Sequence, residues 1–422
     1  MRRILPMILA LTLLVGCAGG GQFASQPTQS ARPVQPKEDG VVDLISSDCK
    51  AESGDAYANF ALNLLRAGRT EGENVLMSPL SVMLALGMTS AGAAGNTAQE
   101  FARLFGMEQD ALTAHCRTLL EDYSDLGGSS EANLANSLWC DPDMELDDRF
   151  LTTCRDDFDA QVYHADLQSA DTVQAVNDWV KDATKGMIPR VVDHFDEQAV
   201  LALINAVYFK NQFQRPFKPS ASEWTMEFYN ADGTVAQPLG MSNGERKEIY
   251  LTHENGQGVV MPYDDGKLGL LLMLPDEGMS LTDYLASWDG GTIAGLLENQ
   301  TDRQVHLTVP KFKAEWDGEL KDTLTALGLA DAFDPASADF SAMGRSEKGP
   351  FFIGSVIHKT AFEVNEKGTE AAAVTAVMVE FTGLPQTPDD LVVLRFERPF
   401  VYGIVDLETG APLFLGTMEH MD

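Results

Sequence analysis

The feature of this sequence that most restricts its fold is an unbroken stretch from Val41 to Asp422 without a linker, an internal repeat or a low-complexity run. Domain boundaries normally fall in exposed linkers, so a stretch of about 380 residues without one indicates a single large domain. With 44% hydrophobic and 22% charged residues, the composition is that of a folded globular protein.

The spacing of apolar residues predicts the order of secondary structure within this domain. In the first third, apolar residues such as Tyr57, Phe60 and Leu64 recur three and four positions apart, as on one face of a helix. The same spacing recurs directly after Ser78-Pro79 and over 111–123 and 172–184, which predicts helices there as well. Later segments are short and rich in β-branched and aromatic residues, which favours strands; they are 200–209, 259–263, 268–274, 305–312, 356–364, 392–396, 400–405 and 413–418. Because helices precede strands, the sequence predicts an α+β fold with N-terminal helices and large mixed β-sheets.

The N-terminus has the pattern of an export signal. Arg2 and Arg3 precede an almost wholly apolar run at 4–15, which is too short to span a bilayer permanently. We expect 1–16 to be a signal peptide.

The sequence LVGC, ending at Cys17, also resembles the lipobox of bacterial lipoproteins, in which the cysteine is lipidated. The alternative is an ordinary signal peptide with a chance cysteine. Residues 17–40 are rich in Gly, Gln, Ser and Pro, which predicts a flexible tether behind the lipidated Cys17.

Charge and export together limit the partners and the location. Lysine and arginine number 30 against 63 aspartates and glutamates, so the net charge is −33 and nucleic-acid binding is excluded. We expect an exported protein that is lipid-anchored to the bacterial membrane or cell surface, and otherwise extracellular or periplasmic. Membrane contact would be through the N-terminal lipid only. The sequence does not distinguish an inner from an outer membrane.

The chain carries no pattern typical of an enzyme or a metal site. GxSxG, HExxH and GxxxxGK[ST] are all missing. The acidic alternation over 141–147 resembles a calcium loop, but Leu146 stands where a glycine is required. Apart from Cys17 there are four cysteines, whose state as thiols or disulfides the sequence leaves open: Cys49, Cys116, Cys140 and Cys154. We therefore expect no catalytic activity, no cofactor and no metal.

Seven sequence blocks, in order, carry a resemblance to a known family. The decisive block is HKTAFEVNEKGTEAAAVTAV at 358–377. The others are NVLMSPLSV at 74–82, AGAAGNTAQE at 91–100, VNDWVKDATKGMI at 176–188, LINAVYFK at 203–210, VPKFKAEWDGELKDTLTALGLADAF at 309–333 and PFVYGIVDLETGAPLFLGTM at 399–418. Together they resemble the serpins, serine protease inhibitors that trap their targets by loop insertion. The resemblance covers 45–420 and implies one serpin domain over 41–422 with an exposed reactive-centre loop.

The resemblance implies a hinge from which this loop enters a sheet, and the residues suit that role. The hinge comprises Glu366, Gly368, Thr369, Glu370, Ala371, Ala372 and Ala373. Every second residue from Thr369 to Val379 is small or β-branched and uncharged, so one face of an inserted strand can be buried. Gly368 permits a bend where insertion begins. The alternative for this segment is an alanine-rich surface helix, which the later threonine and valines disfavour.

Family spacing places the scissile bond near the middle of the loop. Counting Glu366 as the seventeenth residue before the cut gives Thr382–Gly383, and a spacing one residue shorter gives Phe381–Thr382. Neither bond follows a lysine or arginine, so elastase-, subtilisin- or chymotrypsin-like proteases are favoured over trypsin-like ones. The implied partner is a serine protease held in a covalent acyl complex, with the inhibitor as a monomer.

The resemblance also implies a polar cluster, the shutter, under the central strands where the sheet opens; it consists of Ser78, Ser81, Asn205 and His358. Without the family, these would be ordinary polar groups satisfied in a core. Phe213 stands where many members carry a tryptophan, so the docking of the hinge is expected to differ there. The alternative function is a non-inhibitory serpin that serves as a binding or structural protein at the cell surface.

Overall fold

The structure is a computed structural model, which describes residues 32–33, 47–195, 199, 201–217, 224–347, 349–369 and 390–422. The helices of these ranges are α1 Ser47–Gly68, α2 Pro79–Ser90, α3 Gly95–Phe105, α4 Gln109–Ser124, α5 Asp148–Asp156, α6 Ala170–Ala183, α7 Leu281–Ala286, α8 Thr292–Glu298 and α9 Lys321–Ala326, with a 3₁₀ turn at Asp331–Phe333. The predicted helices at 111–123 and 172–184 correspond to α4 and α6 within two residues.

The strands in the described ranges are β1 Arg32–Pro33, β2 Val75–Met77, β3 Glu131–Cys140, β4 Glu145–Leu146, β5 Ala160–His164, β6 Leu201–Gln212, β7 Phe228–Tyr229, β8 Val235–Ala236, β9 Gly240–His253, β10 Gly256–Pro262, β11 Leu268–Pro275, β12 Thr301–Pro310, β13 Phe312–Glu319, β14 Gly344–Arg345, β15 Ile357–Val364, β16 Gly368–Thr369, β17 Val392–Arg395, β18 Phe400–Asp406 and β19 Pro412–Met418. The α+β prediction with large mixed sheets is confirmed.

Two large sheets dominate the fold. The first has seven strands in the order β1-β5-β3-β6-β16-β15-β13, and the second has eight in the order β17-β12-β9-β10-β11-β18-β19-β2. Over the described residues, each contains one parallel pair, β3 with β5 and β12 with β17, among antiparallel ones. Strand β11, which the sequence predicts at 268–274, is an apolar run. It is buried along its whole length, as expected where both faces of a sheet are covered.

The hydrophobic core lies between the two sheets. Phe414 of the eight-stranded sheet packs against Phe209 and Phe362 of the seven-stranded one, at ring-centroid distances of 6.4 and 5.7 Å. Helix α2 is also buried here along nearly all of its length. It begins where it does because Pro79 suits the first helical position and the Ser78 hydroxyl accepts a hydrogen bond from the Ser81 amide at 3.2 Å.

Three cysteines, Cys116, Cys140 and Cys154, are free buried thiols. Burial raises the pKa of the Cys140 thiol to about 12, so it stays protonated and unreactive at neutral pH. The side chain of Cys49 lies outside the described part of the chain. Within that part, no cluster of His, Cys, Asp and Glu forms a metal-ligand set, and no helix has the length and apolarity to cross a membrane.

Candidate functional site

The first residues of the predicted hinge are paired within the seven-stranded sheet. Strand β16 lies between β6 and β15 and is antiparallel to both, with Thr369 opposite Asn211 on one side and Val364 on the other. Since β15 and β16 follow each other along the chain, 365–367 form a tight connection between them. The backbone of this connection is held from outside, because the Phe213 amide donates to the Lys367 carbonyl at 2.7 Å.

Gly368 is required by a close approach of two backbones. A Cβ atom on this residue would stand 2.1 Å from the carbonyl oxygen of Asn211, and the φ angle of Gly368 is +157°. A side chain here would push β16 out of the ladder with β6. Glycine at this position therefore allows the chain to turn into the sheet directly after Lys367.

Thr369 is fully buried and bonded to the core beneath it. Its hydroxyl lies 2.5 Å from the hydroxyl of Tyr263, so one of the two donates to the other. Tyr263 is buried too, which raises the pKa of its phenol and keeps it protonated. Phe213 stacks on Tyr263 with ring centroids 5.3 Å apart and the planes nearly parallel. The phenylalanine thus covers the ring that carries the hinge contact.

Glu366 anchors the start of the hinge to the neighbouring strand connection. Its carboxylate forms an ion pair of 2.6 Å with the Lys311 ammonium, and both side chains are partly exposed. Its carbonyl accepts a hydrogen bond from the Phe217 amide at 2.9 Å. The backbone bond holds the segment in place without charge, so the exposed ion pair adds only modestly, by about 0.2–1 kcal/mol.

The structure brings Ser78, Ser81, Asn205 and His358 into one hydrogen-bonded group under the same sheet. The Ser78 amide donates to Nε2 of His358 at 3.1 Å, and the Ser78 hydroxyl donates to the Leu413 carbonyl at 3.0 Å. The Ser81 hydroxyl donates to Oδ1 of Asn205. The group therefore joins α2 and β19 to β6 and β15, two strands that flank β16.

Asn136 extends this group to the next strand, β3. Its side-chain oxygen accepts from Nδ2 of Asn205 at 2.9 Å, and its own Nδ2 donates to the Phe158 carbonyl at 2.7 Å. Asn136 is buried, so both ends of its amide need partners inside the protein. The polar chain thus runs from β15 through α2 and β6 to β3.

A cavity lies between β6 and β15 at the level of this polar group. No ladder joins the two strands among the described residues, where β16 alone stands between them. The cavity has a volume of about 180 Å³ and is lined by 201–206 of β6, by 351–359 in and before β15 and by one side of α2. The cavity, at the level of His358, is about 20 Å along β15 from Val364, at roughly 3.3 Å for each residue.

The comparison with known proteins covers nearly the whole of this domain. A family model described as serpin, serine protease inhibitor, matches residues 55–421. The chain belongs to the serpin family. Serpins are generally serine protease inhibitors.

Similar proteins come from distant organisms. The leukocyte elastase inhibitor of Xenopus tropicalis is 33% identical over 86% of this serpin and 97% of that protein. A serpin-like protein of Thermococcus kodakarensis is 28% identical over 99% of both chains. Among solved structures, the native state of the thermophilic serpin tengpin has a TM-score of 0.83 and 30% identity, and the comparison covers 93% of this chain and all of that one.

Part of the predicted hinge lies in the described ranges. Glu366, Gly368 and Thr369 lie at the top of β6 and β15, as given above. The remaining hinge residues, Glu370, Ala371, Ala372 and Ala373, lie outside the described residues, as do both candidate scissile bonds, Thr382–Gly383 and Phe381–Thr382, and the lipidation site Cys17. Their assignments remain predictions.

Sequence reasoning missed three residues of this site. Asn136 is a polar residue in the middle of a strand, and that position alone is a signal of a buried polar network. Tyr263 ends one predicted strand and Lys311 lies within another, but no pattern along the chain connects them with a hinge about 50 to 100 residues away. Their contacts depend on how the two sheets stack.

Proposed function

We propose that this serpin is an inhibitor of serine endopeptidases that acts as a suicide substrate through loop cleavage and strand insertion. The observation that carries the proposal is the position of Thr369, which is already paired between β6 and β15. A strand that begins in this position has only to continue in the same register to become the central strand of the sheet.

The inward face of such a strand meets side chains of the right size. Continuing the register one residue at a time puts Ala371 opposite Phe209 and Phe362, whose rings are both buried. Two large aromatic neighbours leave room for a methyl group but not for a bulky chain. The alternation of small residues noted in the sequence therefore matches the space between the strands.

The same register puts Thr375 between Asn205 and His358, in the polar shutter group. This is the one inward position after Thr369 where a hydroxyl replaces a methyl or valine side chain. A hydroxyl can bond to the polar neighbours there, whereas an apolar side chain would leave a buried polar group without a partner. The second threonine thus supports the proposed register.

The outward face of an inserted strand would be exposed over only part of its length. Val374 would lie opposite Ala206, which is buried under Val180 and Ile188 in and after α6. An inserted strand would therefore be covered by α6 in the middle and exposed at its first residues. Glu370, which would lie opposite Lys210 and Glu363, falls in the exposed part, where a charge is tolerated.

The energy released by insertion is large on the scale of domain stability. Each hydrogen bond of a β-ladder contributes about 0.5–1.5 kcal/mol net, so a dozen residues paired on both sides would contribute more than about 10 kcal/mol. Typical domains have a free energy of unfolding of about 5–15 kcal/mol. The uncut protein would accordingly be metastable and the cut protein much more stable.

In the proposed reaction, the serine Oγ of the target protease bonds to the carbonyl carbon of Thr382, or of Phe381 in the shorter spacing. The peptide C–N bond breaks, the new amine leaves, and an acyl-enzyme remains. Insertion of about fifteen residues at roughly 3.3 Å each then carries the protease on the order of 50 Å. Its oxyanion hole is distorted against the inhibitor, so water no longer completes deacylation.

We further propose that the inhibitor works as a monomer outside the cytoplasm, held to a membrane by lipid on Cys17. The support is in the first seventeen residues, which have a basic start, an apolar run and the sequence LVGC, and in the polar stretch that follows them. A net charge of −33 keeps the domain soluble and away from anionic lipid surfaces. Such an inhibitor would protect the cell surface from elastase-, subtilisin- or chymotrypsin-like proteases.

The test is incubation of the purified protein with pancreatic elastase, subtilisin or chymotrypsin, followed by denaturing gels and mass spectrometry. We expect a complex that resists SDS and includes the N-terminal fragment, together with cleavage after Phe381 or Thr382. The matched control is the same protease with its active-site serine chemically blocked, which should form no complex. Clean cleavage without a complex by all three enzymes would contradict inhibition and favour a binding or structural role.

A further inference from the structure

Asn211 sits on β6 directly opposite Thr369 and is fully buried. Its side-chain nitrogen Nδ2 donates a hydrogen bond to Oδ2 of Asp265. Asp265 lies in the turn between β10 and β11, which belongs to the eight-stranded sheet. The contact therefore links the two sheets at the point where the hinge lies between its neighbouring strands.

The carboxylate of Asp265 is held firmly on all sides. Its Oδ1 accepts hydrogen bonds from the amides of Lys267 and Leu268 at 2.7 and 2.8 Å, and its Oδ2 accepts one from the Ser130 hydroxyl at 2.8 Å. Because the carboxylate is fixed by its own turn, it can act as an anchor for Asn211 instead of following it. The neighbouring amide of Asp264 adds a second link, since it donates to the Gln212 carbonyl at 2.9 Å.

The other end of the Asn211 amide indicates that this bond matters. Its oxygen Oδ1 is buried and has no hydrogen-bond partner among the described residues. A buried acceptor without a partner costs free energy, and an apolar side chain of similar size would avoid that cost. Asparagine is therefore a poor choice for packing alone, and the gain must come from the Nδ2 contact with Asp265.

We propose that Asn211 and Asp265 are positioning residues that keep β6 one strand's width away from β15 around Thr369. The inference rests on the proposed inhibitory function for its consequence, but the geometry concerns the uncut protein alone. We call the hydrogen bond between Asn211 and Asp265 the brace. With the brace intact, Tyr263 and β6 form a fixed binding position for Thr369, and insertion starts from a hinge that is already paired.

The alternative to a hinge paired between β6 and β15 is direct pairing of these two strands with each other. Strand edges that face each other across a gap gain hydrogen bonds by closing it, and closure at the top would expel Thr369. The brace opposes that closure because β6 is tied to a turn of the other sheet. Without it, insertion would begin later, and more of the acyl-enzyme would be hydrolysed before the protease is distorted.

The test uses a charge-preserving exchange of the two partners. Asn211→Asp places two carboxylates against each other and should break the brace. The double variant Asn211→Asp with Asp265→Asn restores it with the roles reversed. The amide then introduced in the turn can keep the turn hydrogen bonds through its oxygen, while its nitrogen donates to the carboxylate introduced on β6.

Asn211→Ala removes the donor without repulsion and serves if the first variant fails to fold. The control is Asn133→Ala, which removes a hydrogen bond that a side-chain amide of β3 donates to the Ala183 carbonyl elsewhere in the sheet.

The first readout needs no protease. Hydrogen exchange of the peptide spanning 211–217 reports on the Phe213 and Phe217 amides, which donate to hinge carbonyls. We expect at least tenfold faster exchange in Asn211→Asp or Asn211→Ala, and near wild-type exchange in the double variant and in Asn133→Ala. Unchanged exchange in both single variants, or equally fast exchange in the double variant, would overturn the proposal.

The second readout is the number of inhibitor molecules consumed for each protease molecule inactivated. We expect at least a threefold increase in the single variants and recovery in the double variant, because a residue that only stabilised the fold would not change this ratio. If the wild type inhibits no protease while the exchange results hold, the proposed function fails and the brace stands. If the wild type inhibits and the ratio does not respond, the brace proposal fails.

Discussion

The amide nitrogen of Ser78 donates a hydrogen bond of 3.1 Å to Nε2 of His358, across 280 residues of sequence. The imidazole must therefore be neutral at Nε2, with its proton on the other nitrogen. Burial lowers the pKa of His358 to about 4, well below its ordinary value of 6.5. A proton on Nε2 would turn an acceptor into a donor facing a donor, and the link between α2 and β15 would be lost.

We expect acid to destabilise the uncut protein through His358. Between pH 6.5 and about 4 the unfolded chain binds a proton on this residue and the folded chain does not. Stability from the neutral imidazole is thus complete above pH 6.5 and is lost as the pH falls towards 4, by about 3 kcal/mol in all. Melting temperatures at pH 7.5, 5.5 and 4.5 should fall in the wild type and fall less in His358→Gln.

His115 provides a matched control for this prediction. Burial also lowers its pKa to about 4, but it packs against Tyr57 in the helical part of the fold, away from the shutter. His115→Gln should flatten the pH dependence of melting in the same way, yet leave the hydrogen bond between Ser78 and His358 unchanged. A full acid slope in His358→Gln would show that this histidine is not the group responsible.

Thr369→Arg tests whether insertion requires residue 369 to lie buried between β6 and β15, where Thr369 already lies. An arginine there would have to enter the core beside Tyr263 without a partner, at a cost of several kcal/mol. We expect the variant to be cut by the target protease at the wild-type rate but to release it active. The measurement is residual protease activity after titration, together with the amount of SDS-resistant complex on gels.

Two conservative variants at the same position make the result specific. Thr369→Ser keeps the hydroxyl that contacts Tyr263 and should inhibit like the wild type. Thr369→Val keeps the shape and removes the hydroxyl, which should cost about 0.5–1.5 kcal/mol and slow inhibition by a factor of about ten or less. Unimpaired inhibition by Thr369→Arg would contradict insertion as the mechanism.

Much of the fold could be predicted because its signals are local. A periodicity of 3.6 places α4 and α6 within a few residues, a continuous apolar run places β11, and the Ser78-Pro79 pair predicts the start of α2. The family resemblance then indicates which polar residues share the shutter. These are properties of short segments, which a sequence states directly.

The remaining site contacts depend on stacking between sheets and could not be predicted. Tyr263 meets Thr369 only because the β10–β11 turn reaches over the end of β6, and Asn211 finds Asp265 for the same reason. Neither pair has a spacing that marks it in the chain. The unpartnered oxygen of Asn211 is a property of the packed core and has no counterpart in sequence.

Cys17→Ala tests the proposed anchor separately from the inhibitor. Several acyl chains on one residue give lasting attachment, since each buried methylene contributes about 0.8 kcal/mol. In an expressing bacterium, we expect the wild type to incorporate labelled palmitate and to sediment with membranes. Cys17→Ala should lose the label and become soluble while its inhibition in extracts is unchanged. Membrane association of Cys17→Ala at the wild-type level would contradict lipid anchoring.

Cleavage within the loop should raise the melting temperature strongly. If a dozen residues gain ladder bonds worth more than about 10 kcal/mol, a domain of this size should gain on the order of 15 °C, because its unfolding entropy is large. Calorimetry before and after a single cut near Thr382 measures this. Cut Thr369→Arg is the control: it carries the same nick but a blocked first residue, so it should gain much less. An equal melting temperature for cut and uncut wild type would mean that no strand enters the sheet, and the gap between β6 and β15 would then need another explanation.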